Sequence, residues 1–222
     1  ANESRAGTGP ERCIHNAGMS LPTFIYLASA SPRRRQLLDQ IGLAHRPLLA
    51  DATEDVEALE AERPGEVPAD YVQRVTLAKL QAARRRRLRR RLPPAPILCA
   101  DTTVAAGRRI LGKPRNAEEA AATLRLLSGR THRVLTAVAV GTGRRTFIEV
   151  SVSRVRMAEL PELSIQRYVA SGEPFGKAGA YAVQGRIAAW IERIDGSYTG
   201  IMGLPLFETS RLLARAGTTL HI

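Results

Sequence analysis

Cysteine is almost missing from this chain: Cys13 and Cys99 are the only two in 222 residues. Two thiols are too few for a disulfide framework or a thiolate metal cluster, which points to a reducing, cytoplasmic setting. Cys99 sits in the apolar run "ILCA" and reads as a small core residue. Long apolar runs are missing too. None approaches the ~20 residues that a membrane-spanning helix needs. The first 20 residues, "ANESRAGTGPERCIHNAGMS", hold no apolar stretch of signal-peptide length. Polar and aperiodic, they read as a disordered extension ahead of one domain over residues 21–222. No internal repeat or linker divides the remainder. With 44% hydrophobic and 24% charged residues, the chain can bury a sizeable core.

What the chain has in excess is arginine. The net charge is +12, but residues 84–92, "RRRRLRRRL", contribute seven arginines in one place. A basic face spread over the molecule is therefore not indicated. The run is either the solvated, dipole-favoured end of a helix or a local contact for nucleic acid.

Punctuation gives the elements. Residues 23–29, "TFIYLAS", have strand composition, and Ser31-Pro32 then opens a helix, serine as cap and proline at its first position. Gly42 stops that helix. "HRPLLADATED" reads as a second strand entering an acidic loop. "ADYVQRVTLAKLQAARRRRLRRRL" reads as a long helix with Tyr71 or Val72, Val75 and Leu80 inward, broken by "PPAP". "ILCADTTVAAG" predicts a buried strand, and "NAEEAAATLRLLSG" a helix capped by Asn116 and closed by Gly129. Two alternating strands joined by "GTG", a short helix at "PELSIQRYVASG", a strand at "AAWIERIDGS" and a closing helix at "GLPLFETSRLLARAG" complete the pattern.

Against that frame a few side chains are out of place. Asp101 follows "ILCA" directly, and a carboxylate there must reach solvent, a cation or a metal. It is either the polar end of a strand or a metal ligand or general base. Asp51, Glu54 and Asp55 of the acidic loop offer further oxygens, a donor type that suits Mg²⁺. Lys79 interrupts the apolar face of the long helix, and Lys113 lies on a Gly-Lys-Pro turn. With Arg33, Arg34 and the helix start they can form a positive pocket for a polyphosphate. The stretch "EPFGKAGAYAVQGRIAAW" carries Lys177, Tyr181 and Gln184 among glycines. A glutamine amide both donates and accepts, as a reader of a nucleobase edge must. His132 has no evident acid or nucleophile beside it and reads as structural. No serine lies in a nucleophile elbow.

Taken in order, "LASASPRRRQLL", "ADTTV", "LGKPRNAEEAAATLRLLSGRTHRVLTAVAV" and "GEPFGKAGAYAVQG…IDGSYTGIMGLPLFET" resemble the blocks of Maf-like nucleoside triphosphate pyrophosphatases, from about residue 24 to about residue 216. The resemblance implies an α/β fold with an elongated mixed β-sheet flanked by helices, in two lobes with a cleft between them. It implies metal-dependent cleavage of a nucleoside triphosphate to a monophosphate and pyrophosphate, with Mg²⁺ as the expected ion and Mn²⁺ or Co²⁺ as substitutes. By the same resemblance Asp101 is the proton acceptor near the metal and Glu54 its acidic companion, both ligands of the ion. Lys79 and Lys113 are active-site lysines. Ser29, Arg33 and Arg34 form the phosphate-binding first block, and Gln184 is the glutamine of the late block. Arg33, Thr102 and Gln184 together match the branch acting on dTTP and UTP rather than the one acting on 7-methyl-GTP. The implied partner is a nucleoside triphosphate, not a membrane or a nucleic acid, and homodimers are frequent in the family. Two rivals stand beside this reading: a nucleic-acid-binding or cell-division regulator working through the arginine run, and the same reaction on 7-methyl-GTP or purine triphosphates.

Overall fold

A computed structural model describes residues 24–218; the N-terminal extension expected over residues 1–20 lies outside them. Seven strands form one mixed sheet: β1 (Ile25–Leu27), β2 (His45–Pro47), β3 (Ile97–Ala106), β4 (Arg109–Leu111), β5 (Thr131–Thr142), β6 (Arg145–Met157) and β7 (Ile191–Asp195). Their order is β2-β1-β3-β5-β6-β7, with β4 paired to β3. The β1–β2 and β1–β3 pairs are parallel, and the others are antiparallel. Six α-helices flank the sheet: α1 (Pro32–Gln40), α2 (Pro68–Arg89), α3 (Ala117–Leu127), α4 (Glu162–Ala170), α5 (Tyr198–Met202) and α6 (Leu206–Arg215).

Local chemistry sets the ends of these elements. Ser31 accepts from the Arg34 amide at the start of α1, and Asn116 accepts from the Glu119 amide at 2.8 Å to start α3. Gly42 follows α1 at φ 64°, in the left-handed region. Gly143 at φ 54° turns β5 into β6, with Thr142 and Arg145 paired across it.

β3 is buried on both faces, so its alternation separates two environments. Ile97, Cys99 and Ala105 face α2, where Leu80, Ala83, Val72 and Val75 cover them. Leu98 and Ala100 face the opposite side, against Leu37 and Leu38 of α1 and Leu212 and Leu213 of α6. Val104 joins a third cluster with Leu124, Leu127 and Ile165. Each fully buried aliphatic side chain contributes about 1.5–3 kcal/mol, so α2, with Val72, Val75 and Leu80 at 0–1% exposure, is held mainly by that face. The same alternation aims Asp101 at α2 and Thr102 at the side of α1 and α5.

His132 of β5 is 2% exposed, and its Nε2 lies 2.7 Å from the Tyr181 hydroxyl, with the rings edge to face. Burial pushes its imidazole down to about 4. A neutral buried histidine opposes protonation in the folded state alone. The unfolded chain then binds the extra proton first, and stability falls as pH drops from about 6.5 toward 4. The loss should reach about 3 kcal/mol by pH 4. His132→Gln keeps a polar group within reach of Tyr181 but does not titrate. Thermal melts between pH 7 and 4 should slope less steeply in that variant than in the parent; equal slopes would place the acid sensitivity elsewhere.

Candidate functional site

β1 ends its pairing with β3 at Leu98, and β4 begins pairing at Val104. Residues 99–103 of β3 therefore have a strand neighbour on the β5 side alone. A cleft of about 580 Å³ opens at this gap, lined from α1 and its entry loop, from the segment after β2, from α2, from β3 and from the loops around residues 176–183 and 201–203. Its walls carry Arg33, Arg34, Lys79, Arg86, Lys113 and Lys177 against the carboxylates of Asp101 and Glu60 alone. With Arg86 paired to a carboxylate behind the wall, five cations facing two anions still favour a polyanionic occupant.

Asp101 stands in the middle of β3, 7% exposed. Its Oδ1 accepts from Lys79 Nζ at 2.6 Å, and the same ammonium donates to Glu60 Oε1 at 2.7 Å. Lys113 Nζ reaches the other Glu60 oxygen at 2.8 Å. Burial pushes the Glu60 carboxyl up, but Lys79 and Lys113 outweigh it and hold the group below the usual carboxylate range. Lys79, an uncomfortable residue on an apolar helix face, is thus the counter-charge of two carboxylates.

On the other face of β3, Arg34 spreads a fork over three acceptors. Nε donates to the Gly203 carbonyl at 2.8 Å, Nη1 to Ser29 Oγ at 3.1 Å and Nη2 to Thr102 Oγ1 at 3.5 Å. Arg33 donates to the Met202 carbonyl at 3.3 Å. Lys177 donates to the carbonyls of Glu173 and Phe175; its pKa is lowered first by burial and then by the Arg33 charge across the cleft. Gly179 makes this wall possible, because at φ 70° a Cβ would meet Val104 Cγ1 at 2.8 Å.

Ser29, Arg33, Arg34, Lys79, Asp101, Thr102 and Lys113 therefore meet around one cleft. Glu54 and Gln184 do not line it. Gln184 is exposed, one residue beyond the lining Val183. Glu54 lies behind the cleft wall, held by a lining residue: Arg86 donates to its two oxygens at 2.9 and 2.7 Å, and Arg89 adds a contact at 2.7 Å. Hydrogen bonding from Arg86 leads the effects that hold the Glu54 carboxyl down at about 2. Three guanidinium contacts thus occupy Glu54 in this arrangement. The acidic residue that does reach the cleft is Glu60, on a turn of 3₁₀ helix over Glu57–Glu60. Nothing in "VEALEAER" distinguishes it from Glu57 or Glu62.

The arginine run is bound up with that acidic loop. Arg86 also donates to the Leu48 carbonyl at 2.6 Å, while Arg89 and Arg90 both reach Asp51. Arg84 is spent on the Arg145 carbonyl and Arg87 on that of Leu92. Much of the local excess of charge serves to tie residues 48–54 to α2.

The protein-family model described as Maf-like protein matches residues 24–216. A dTTP/UTP pyrophosphatase of Cupriavidus metallidurans is 61% identical over 197 residues, covering 89% of this chain and 98% of that protein. Another of that name from a Polaromonas species is 60% identical, covering 90% and 98%. One from Burkholderia pseudomallei is 58% identical, covering 90% and 97%.

The clamp on the acidic loop has a measurable consequence. Arg86→Ala removes three hydrogen bonds and leaves Glu54 to Arg89 alone, which should cost about 2 kcal/mol, a fall in Tm on the order of 5 °C. Arg85→Ala, at an exposed position of the same run, should stay within about 0.5 kcal/mol. Equal melting temperatures for the two variants would show that the pairing does not hold the loop.

Proposed function

We propose that this chain, which belongs to the Maf-like family, hydrolyses dTTP and UTP to the nucleoside monophosphate and pyrophosphate, removing these nucleotides from the pool. The observation that carries the reading is the placement of Asp101 at an open strand edge, facing a cleft rich in guanidinium and ammonium groups. Relatives about 60% identical over nearly their whole length bear the name of that activity.

The roles proposed for the residues rest on their places around the cleft together with the family resemblance. Hydrolysis at the α-phosphorus forms a bond from a water oxygen and breaks the bond to the bridging oxygen of the leaving pyrophosphate. Asp101 orients that water and takes its proton as the new bond forms. Lys79, 2.6 Å from Asp101, holds the carboxylate in place and brings a positive charge to the phosphoryl oxygens as their charge grows. Arg33, Arg34, Lys113 and Ser29 hold the phosphate chain, whose charge matches theirs. Arg33 and Thr102 sort the base. Gln184, exposed in this arrangement, would reach the base by closing of its loop.

A divalent cation fits the site. Asp101 and Glu60 both place an oxygen within 2.7 Å of one ammonium, so they are near enough to share an ion. Two carboxylates suit Mg²⁺, which takes its remaining ligands from water and substrate phosphates. When bound, the ion would neutralise the triphosphate and polarise the phosphoryl oxygens. Among the described residues no group of three or more acidic, histidine or cysteine side chains is poised for a metal. Mn²⁺ and Co²⁺ are the substitutes to assay. No described helix is long and apolar enough to cross a membrane, and we place the enzyme in the cytoplasm, where its substrates are.

A panel of dTTP, UTP, CTP, ITP and 7-methyl-GTP with Mg²⁺ tests the reading. Pyrophosphate should be released fastest from dTTP and UTP, and Asp101→Asn should lose about a hundredfold or more in kcat. A folded protein that releases no pyrophosphate from either would refute it, and faster turnover of 7-methyl-GTP would move it to the other branch.

A further inference from the structure

Thr102 and Thr136 stand opposite each other in β3 and β5, and their hydroxyl oxygens are 3.0 Å apart. Distance alone leaves the direction of that bond open. The next contact settles it: Thr136 Oγ1 lies 2.7 Å from the Gly200 carbonyl oxygen, which has no proton to give. The single Thr136 proton is committed to Gly200, so Thr102 must donate and Thr136 accept. Arg34 Nη2, a donor only, approaches the same Thr102 oxygen at 3.5 Å, in agreement with that polarity. Thr136 is 1% exposed, so solvent cannot reverse the chain of bonds. Gly200 is itself fixed, its amide donating to Ser197 Oγ at 2.9 Å at the start of α5.

Thr102 therefore lines the cleft with a lone pair to offer and no proton. A phosphate oxygen at neutral pH also offers only lone pairs, so this hydroxyl is a poor phosphate ligand. It suits an N–H group. We infer that Thr136 is a positioning residue for base selection: by taking the Thr102 proton it makes position 102 an obligate acceptor. Position 102 then selects the N3–H of a uracil or thymine ring and rejects cytosine, whose N3 is itself an acceptor. This deepens the pyrophosphatase reading and rests on it for the identity of the occupant. A buried threonine, Thr136, acting through a cleft-lining one, Thr102, would then discriminate between bases that differ in one proton. Discrimination follows because a bound base displaces water from the cleft wall, and two acceptors left facing each other there lose a hydrogen bond.

Thr136→Val removes the acceptor and frees the Thr102 hydroxyl to rotate and donate, whereas Thr136→Ser keeps it oriented. In the parent, kcat/KM for UTP should exceed that for CTP and for N3-methyl-UTP by at least about tenfold, the worth of one buried hydrogen bond. Thr136→Val should narrow the UTP-to-CTP ratio severalfold, and Thr136→Ser should restore it. A merely structural role would lower all rates and Tm together and leave the ratio alone. An unchanged ratio in a folded Thr136→Val protein, or N3-methyl-UTP turned over as fast as UTP, overturns the inference. Equilibrium binding of UTP and CTP to Asp101→Asn, with and without Thr136→Val, reads the same preference without turnover. A parent that binds UTP over CTP but hydrolyses neither would fail the pyrophosphatase reading and leave the base selection standing.

Discussion

The contact between Lys79 and Asp101 is the constraint around which the molecule is arranged. A carboxylate in the middle of a strand buried on both faces is costly unless a cation meets it there. Among the described residues α2 packs over that face of β3, and it supplies the cation. The apolar side chains on either side of Lys79 fix its depth and rotation, because Val75 and Leu80 can be buried in only one placement of the helix. Moving α2 by one residue would bury a different face and withdraw the ammonium. Stability and the chemistry of the cleft thus depend on the same helix.

One helix also carries the second use of charge. Seven positions beyond Lys79, Arg86 is buried and holds Glu54 and the Leu48 carbonyl. The loop it anchors continues through Leu49, Ala50 and Val56 into the cleft wall and on to Glu60. Arginine is suited to this task, since its planar fork satisfies a carboxylate and a carbonyl together, which a lysine ammonium cannot do with fixed direction. Part of the arginine run, Arg86, Arg89 and Arg90, thus fastens the acidic loop through Asp51 and Glu54. The free cationic side chains of the cleft lie on other elements.

The two faces of β3 divide the work of the site. Asp101 looks toward α2 and ammonium groups; Thr102 looks toward Arg34, Thr136 and the α5 turn. Consecutive residues of a strand point to opposite sides, so adjacent positions serve different parts of one ligand. The gap between β1 and β4 makes both accessible. Without that interruption a strand neighbour would close the edge.

Much of this was legible before any coordinates. Ser31-Pro32 and Asn116 mark helix starts because caps are local chemistry, and the inward positions of α2 follow from its period. Asp101 and Lys79 stand out because each interrupts an apolar pattern, and the "ADTTV" block that holds Asp101 carries part of the family resemblance. Glu60 could not be selected, since several acidic residues surround it and only the path of the loop brings one of them to Lys79. Glu54 shows the converse: its motif assigns it to the cleft, but Arg86, 32 residues away, pairs with it instead. The direction of the Thr102 hydroxyl was equally hidden, because it depends on a carbonyl 64 residues beyond Thr136. Sequence by itself determined the elements, the family and which side chains could not rest in an apolar core, since those follow from local chemistry and periodicity. Tertiary structure alone decided which carboxylate meets which cation and which hydroxyl keeps its proton, since long-range packing sets those contacts.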